Sequence, residues 1–167
     1  MTKVVVPPRM SALRGSTQAS GLPEWVVPAS LSLSVLGLAL SIYLTIEHYT
    51  APGTAACPAG RTVNCAQVTT SAQSMVFGVP VAVLGVVFFV AALALCLPQV
   101  WAMRDPRVWK ARLGVTAVGL AFALYLIFTE IFVIDAICLW CTAVHVVTFG
   151  LFAVVAMATA LADLPSR

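Results

Sequence analysis

The sequence predicts an all-α integral membrane protein: a bundle of four transmembrane helices with an extracytoplasmic loop that carries a cysteine pair. Hydrophobic residues make up 61% of the 167-residue chain and charged residues only 9%, whereas a soluble domain has roughly 25% charged residues. Four long apolar runs are separated by polar stretches, and almost all basic residues fall on one side of these runs. A chain of this length forms one domain.

Each apolar run is long enough to cross the hydrocarbon core, which takes about 20 helical residues. Backbone polar groups in a bilayer must be paired within the protein, so spanning segments are helices or closed barrels. The runs are continuous rather than alternating, which favours helices. The expected spans are residues 26–49, 75–100, 113–133 and 137–161.

The two ends of the chain are expected to be tails in the cytoplasm, residues 1–25 and 162–167. The N-terminal tail contains several prolines and glycines, and is predicted to be disordered. A cleaved signal followed by a lipidated Cys57 is an alternative for this region. The first apolar run is long enough to span and three more follow it, which argues against cleavage.

The basic residues predict the orientation of the spans. Of the nine lysines and arginines, only Arg61 lies in the loop between the first two spans. The others lie in the two tails and in the link between the second and third spans. Because cytoplasmic segments are enriched in Lys and Arg, both termini and residues 98–112 are predicted to be cytoplasmic. The 50–74 loop and the turn near 134–137 then face outward.

This orientation separates the five cysteines into two groups. Cys57 and Cys65 lie in the outer loop, and Cys138 and Cys141 lie in the first turn of the fourth span, on the side where disulfides persist. Four cysteines allow three pairings. Cys96 lies near the cytoplasmic end of the second span, about a membrane thickness away. It is interpreted as a small buried core residue.

The spacing of Cys138 and Cys141 is typical of redox-active dithiols. Residues three apart on a helix share a face, and the positive helix end favours a thiolate at Cys138. Asp135 could cap this helix, and would oppose that effect if it lay close. Two alternatives stay open: a structural zinc site built from all four outer cysteines, and two structural disulfides.

The ordered combination of these residues resembles the vitamin K epoxide reductase family. The resemblance covers residues 26–161. It rests on Cys57-x7-Cys65 in the first outer loop, Ser71 six residues later, Phe77-Gly78 at the start of the second span, and Cys138-x-x-Cys141 at the start of the fourth. Bacterial members oxidise extracytoplasmic thiols for disulfide bond formation. The resemblance therefore implies a quinone-dependent thiol–disulfide oxidoreductase, multi-pass in a bacterial plasma membrane.

Some members carry a fused thioredoxin-like domain. No such domain is expected in this chain, so its partner is expected to be a separate thioredoxin-like or DsbA-like protein. The resemblance implies that Cys57 receives the mixed disulfide from this partner, that Cys65 exchanges with Cys138, and that Cys141 faces the quinone. The implied acceptor is a membrane quinone of the menaquinone or ubiquinone type, with no metal.

Five side chains near these cysteines are expected to contact the quinone: His145, Ser74, Phe77, Ser71 and Trp140. His145 follows Cys141 by four residues and so shares its helix face, where its ring could donate a hydrogen bond to a quinone oxygen. Vertebrate members carry tyrosine at this position, so His145 is a departure from them.

Two further functions are compatible with the same pattern. One is a DsbB-type disulfide oxidase, in which the CxxC pair would lie in the first outer loop instead. The other is a non-catalytic membrane subunit whose disulfides are structural.

Overall fold

The computed structural model describes residues 22–52, 56–57, 60, 62–103 and 105–163. Most of the two predicted tails lies outside these residues. The elements in chain order are α1 (Val26–Thr50), α2 (Cys65–Thr69), a 3-10 turn (Ala72–Ser74), β1 (Met75–Val76), β2 (Val79–Pro80), α3 (Val81–Leu95), α4 (Pro98–Trp101), α5 (Pro106–Thr129), a π-helical turn (Glu130–Ile134) and α6 (Leu139–Asp163).

The four longest helices pack around one core. Helix α1 contacts α3 and α6, and α5 contacts α6 and α3, so each helix has two neighbours. The centre is filled by buried side chains from α3 and α6 together with the residue after α3: Phe89, Ala92, Cys96, Val147, Leu151 and Val155. The prediction that Cys96 is a buried core residue is therefore confirmed.

Among the described residues, three helices are long and apolar enough to cross a membrane: Val26–Thr50, Pro106–Ile134 and Leu139–Ala162. Their outward faces carry exposed apolar side chains, among them Val35, Val118 and Val146. Apolar surface of this extent is characteristic of contact with lipid rather than water. The predicted helical membrane fold is confirmed, and the count of four crossings stays a prediction.

The second predicted span is not one continuous helix. Residues 75–80 form a β-hairpin in which Met75 pairs with Pro80 and Val76 with Val79. Phe77 and Gly78 form its turn with φ of 51° and 79°, the left-handed conformation that two-residue hairpin turns require. Helix α3 begins only after this hairpin.

Helix α3 also ends earlier than expected, at Leu95. Pro98 explains the break, because a proline inside a helix removes one hydrogen bond and clashes with the carbonyl one turn earlier. The chain starts the short helix α4 with this proline. The helical part of the second apolar run is therefore 15 residues long.

An arginine joins the elements at this end of the bundle. The buried guanidinium of Arg112 lies 3.6 Å from the ring centroid of Trp101, and its Nε donates to the carbonyl of Leu95 at 3.0 Å. Leu95 is the last residue of α3, where carbonyls have no partner within the helix. Arg112 thus connects α5 to the end of α3 and to α4.

Two glycines allow close helix contact. A Cβ at Gly37 on α1 would overlap the buried ring of Phe89 on α3, and a Cβ at Gly119 on α5 would overlap the ring of Phe88. Small residues at such positions let membrane helices approach closely. At Gly114 on α5, in contrast, an added Cβ would meet nothing within 4 Å.

We expect Gly37→Ala to destabilise the fold by about 1–3 kcal/mol, because the added methyl group forces the Phe89 ring or the whole helix to shift. Gly114→Ala is the matched control and should leave stability unchanged or slightly higher, since alanine favours a helix by about 1 kcal/mol. Thermal unfolding in detergent measures both. Equal midpoints for the two variants would contradict the close contact of α1 and α3.

Candidate active site around two cysteine pairs

Two distant segments of the chain meet at the site through backbone hydrogen bonds. The N–H of Asn64 donates to the carbonyl of Ile137 at 3.1 Å, and the N–H of Ile137 donates to the carbonyl of Thr62 at 2.9 Å. Cys65 follows Asn64 directly, and Cys138 follows Ile137 directly. The pairing therefore brings these two cysteines to the same spot.

Side chains fix the segment that carries Cys65. The Oδ1 of Asn64 accepts from the N–H of Gln67 at 3.1 Å and so caps α2, the usual role of asparagine at a helix start. The side-chain amide of Gln67 donates to the carbonyl of Ile134 at 2.9 Å. Helix α2 is thereby attached to the π-helical turn that follows α5.

Cys57 and Cys65 form a disulfide, which is the pairing that the resemblance implies. Cys65 and Cys138 are 2% and 0% exposed and belong to one buried cluster with Val68 and Ala136. Cys57 and Cys141 pack against this cluster. All four predicted cysteines are therefore together, because the disulfide and the CxxC pair belong to the same cluster.

The sulfur of Cys138 caps helix α6. The N–H of Cys141 donates to Cys138 Sγ at 3.4 Å, and the Cys138 carbonyl accepts from the N–H of Thr142 at 2.8 Å. The pKa of the Cys138 thiol, just outside the helix, is lowered. The main cause is a hydrogen bond from the Cys141 thiol, and the N–H groups of Cys141 and Trp140 act in the same direction.

The prediction that Asp135 caps this helix is wrong. Asp135 is exposed and ends the π-helical turn in the left-handed conformation, with its N–H bonded to the carbonyl of Glu130. This conformation, which aspartate tolerates better than most residues, lets the chain reverse between α5 and α6. The cap is supplied by Cys138 itself.

A half-open apolar cavity of about 310 Å³ lies beside Cys141 and is lined by the four long helices and by residues 68–74. Its polar lining includes Cys141, His145, Glu130 and His48. Cys138 is not part of the lining. The two sulfurs of the CxxC pair therefore meet different surroundings: Cys141 faces the cavity and Cys138 faces the disulfide.

Three of the five predicted quinone contacts line this cavity: His145, Ser71 and Ser74. The Ser71 hydroxyl donates to the carbonyl of Val68 at 2.8 Å, and the Ser74 hydroxyl donates to the carbonyl of Ser71 at 2.7 Å. Both serine oxygens can thus accept a further hydrogen bond but have already used their proton.

The other two predicted contacts are elsewhere. Phe77 is fully exposed at the tip of the hairpin, because the turn points its side chain away from the bundle. Trp140 packs on Tyr43 with ring centroids 4.6 Å apart, and its Nε1 donates to the carbonyl of Ala56 at 3.0 Å. Trp140 therefore holds the residue before Cys57, outside the cavity lining.

Glu130 also belongs to the site, although it was not predicted from the sequence. It is 6% exposed and lines the cavity. Its carboxyl lies within hydrogen-bonding reach of the Cys138 N–H and the Cys141 thiol. The available signal was a carboxylate inside an apolar run, since ionisable residues in membrane spans usually serve a function.

The zinc alternative does not fit this geometry. Zinc binds thiolates, and Cys57 and Cys65 are joined as a disulfide. Among the described residues, no group of three or more His, Cys, Asp or Glu side chains could hold a metal ion.

Comparison with known proteins identifies the family. Residues 28–156 match the model of the vitamin K epoxide reductase family. The match covers most of the chain and contains both cysteine pairs, His145 and Glu130. The chain therefore belongs to the vitamin K epoxide reductase family, and this membership implies the activity of a membrane thiol–disulfide oxidoreductase.

Proposed function

We propose that the protein is a thiol:quinone oxidoreductase that reoxidises a separate thioredoxin-like or DsbA-like protein outside the cytoplasm, in support of disulfide bond formation. The main support for this proposal is that the two cysteines of the CxxC pair have different surroundings. Cys141 lines an apolar cavity, whereas Cys138 is buried against Cys65. One sulfur of the pair can therefore pass electrons to a bound acceptor, while the other receives them from the loop cysteines Cys57 and Cys65 in their reduced form.

The electron path consists of four thiol–disulfide exchanges. A partner thiolate attacks Cys57 and Cys65 leaves; the partner's second thiol then releases Cys57, which leaves the partner oxidised. Cys65 next attacks Cys138 in a Cys138–Cys141 disulfide and Cys141 leaves. Cys57 then attacks Cys65 and Cys138 leaves, which restores the loop disulfide and yields a CxxC dithiol.

The structure has the cysteine states expected after these steps: a disulfide at Cys57 and Cys65, with free thiols at Cys138 and Cys141. The lowered pKa of Cys138 supports its role as a leaving group, because thiols of lower pKa leave faster. The remaining step returns the CxxC dithiol to the disulfide.

A membrane quinone, of the menaquinone or ubiquinone type, is the acceptor that the cavity suits. Cofactor and ligand sites are mostly apolar with a few polar groups, and this cavity combines an apolar lining with His145, Ser71 and Ser74. Bound there, a quinone supplies a two-electron acceptor. His145 would orient it through a hydrogen bond to one oxygen, next to Cys141.

We also infer that α3 is the fourth crossing. Its 15 residues extend about 22 Å at 1.5 Å per residue, and the hairpin and α4 continue the chain at its two ends. With four crossings, eight of the nine basic residues fall on one side. The positive-inside rule then assigns both termini to the cytoplasm and the cysteines to the outer side of a bacterial plasma membrane.

The fourth crossing is tested with single cysteines on either side of α3, in a variant whose five native cysteines are replaced by alanine. Ala72→Cys and Lys110→Cys change exposed residues. We expect a membrane-impermeant maleimide to label position 72 in right-side-out vesicles and position 110 only in inverted ones. Labelling of both positions from the same side would exclude a crossing by α3.

The electron path is tested with purified protein in detergent. Cys141→Ala should abolish quinone reduction by dithiothreitol, because the sulfur facing the cavity is lost. Cys57→Ala should abolish oxidation of a DsbA-like protein but spare quinone reduction by dithiothreitol, since a small thiol can reduce the CxxC pair directly. Cys96→Ala, which changes a buried cysteine outside the cavity lining, should retain both activities.

Two results would count against this path. Loss of both activities in Cys57→Ala would contradict the order of the relay. Absence of quinone turnover in the wild-type protein, with the fold intact, would favour a non-catalytic membrane subunit.

His145 is tested by His145→Phe, which keeps a ring but removes the hydrogen-bonding nitrogens. Loss of one hydrogen bond to the acceptor, worth about 0.5–1.5 kcal/mol, should raise the quinone KM or lower kcat by roughly two- to tenfold. Steady-state kinetics at varied quinone concentration measure both constants. Unchanged kinetics in a folded variant would remove His145 from the quinone site.

A further inference from the structure

The CxxC dithiol has to lose two protons as well as two electrons when it is reoxidised. In the balanced reaction, the Cys138 and Cys141 thiols and a quinone give a Cys138–Cys141 disulfide and a hydroquinone. A thiol reacts as its thiolate, so the Cys141 proton must move to a base as the sulfur reacts. The cavity around Cys141 is apolar, and water is a poor candidate for that base.

We infer that Glu130 is a catalytic residue that accepts the Cys141 thiol proton and returns it to the reduced acceptor. This inference rests on the proposed thiol:quinone function. Glu130 is a buried carboxyl on the cavity wall. It lies within hydrogen-bonding reach of the Cys141 thiol, as a general base must.

The position of Glu130 suits transfer in both directions. The carboxyl lies within hydrogen-bonding reach of the Cys141 thiol, and both groups line the cavity. A proton taken from Cys141 Sγ can therefore pass to an acceptor oxygen without crossing bulk water. The reaction needs a second proton, which comes from the Cys138 thiol. Together, the protons from Cys141 and Cys138 form the two O–H bonds of the hydroquinone.

The local backbone holds Glu130 in place independently of its side chain. Glu130 begins a π-helical turn, and its carbonyl accepts from the N–H groups of both Asp135 and Ala136. Single π-helical turns are frequent at functional sites. The same turn leads into the segment that carries Cys138, so the carboxyl and the thiols are fixed relative to each other.

Other titratable groups surround the carboxyl and must be considered in a pH experiment. Cys138 and Cys141 face it from the start of α6. His145 of α6 and His48 of α1 line the same cavity. Of the carboxyls near this end of the bundle, Glu47 is also buried but is not part of the cavity lining, which makes it a matched control.

The test is quinone reduction driven by dithiothreitol, with a short-chain ubiquinone or menaquinone analogue, measured across a range of pH. Glu130→Gln keeps the size of the side chain but cannot take up a proton. We expect kcat to fall by roughly a hundredfold or more with little change in the quinone KM. Glu47→Gln should retain the wild-type rate.

The pH profile separates proton transfer from a merely structural role. In Glu130→Gln the thiol proton must leave to hydroxide, so the rate should rise with pH more steeply than in the wild type. Glu130→Asp retains a carboxyl, so it should keep the wild-type pH profile at a lower rate. This variant also tests the inference if Glu130→Gln does not fold. A wild-type rate and profile in Glu130→Gln, or a steep profile in Glu130→Asp, would overturn the inference.

A second readout distinguishes failure of this inference from failure of the proposed function. The rate at which N-ethylmaleimide modifies Cys141, followed by peptide mass spectrometry, does not require a quinone. If the wild type reduces no quinone, the proposed function fails. Slower modification in Glu130→Gln would then still support the proton role, and equal rates would overturn it.

Discussion

The site depends on two backbone hydrogen bonds that join Ile137 to Thr62 and Asn64. Disulfide exchange requires an attacking sulfur to reach another sulfur directly, and the two cysteine pairs are far apart in the chain. Since the bonds involve the residues immediately before Cys65 and Cys138, they fix the approach of these cysteines. The bonds use only backbone atoms, so the contact does not depend on the side chains of Thr62 or Ile137.

The first turn of α6 has both a structural role and a chemical role. Cys138 Sγ accepts a hydrogen bond from the Cys141 N–H and so satisfies one of the donors that a helix leaves unpaired at its first turn. The same donor stabilises negative charge on that sulfur. A thiolate released at Cys138 is therefore stabilised by the bond that caps the helix.

The sequence alone was sufficient to predict the features of the fold and the site that depend on local interactions. Apolar run length predicts the long helices, and helical spacing predicts that Cys141 and His145 share a face. It was insufficient for residues 75–80, because a short apolar run has the same pattern in a strand and in a helix. Phe77 was therefore assigned to the quinone site when it lies at a hairpin turn.

Non-local contacts explain the remaining differences between the structure and the predictions made from the sequence. Trp140 lies between the two cysteines of the CxxC pair in the sequence, yet its indole is held by Ala56 and Tyr43. Glu130 was missed because its approach to the thiols depends on a π-helical turn and a left-handed Asp135. Neither feature has a pattern of spacing that predicts it, so only the three-dimensional structure brings the carboxyl to the dithiol.

Arg112 in α5 and Glu130 in the turn after it are both buried and ionisable, but their surroundings differ. These surroundings, rather than the residue type, indicate which residue has a structural role and which has a chemical one. Ionisable residues in membrane segments are costly and usually functional. Arg112 contacts an indole ring and the carbonyl that ends α3, and both contacts connect structural elements. Glu130 instead lies within hydrogen-bonding reach of a reactive thiol as well as of the Cys138 N–H, and it borders the cavity. This position between the thiol and the cavity favours a role in the chemistry of the dithiol.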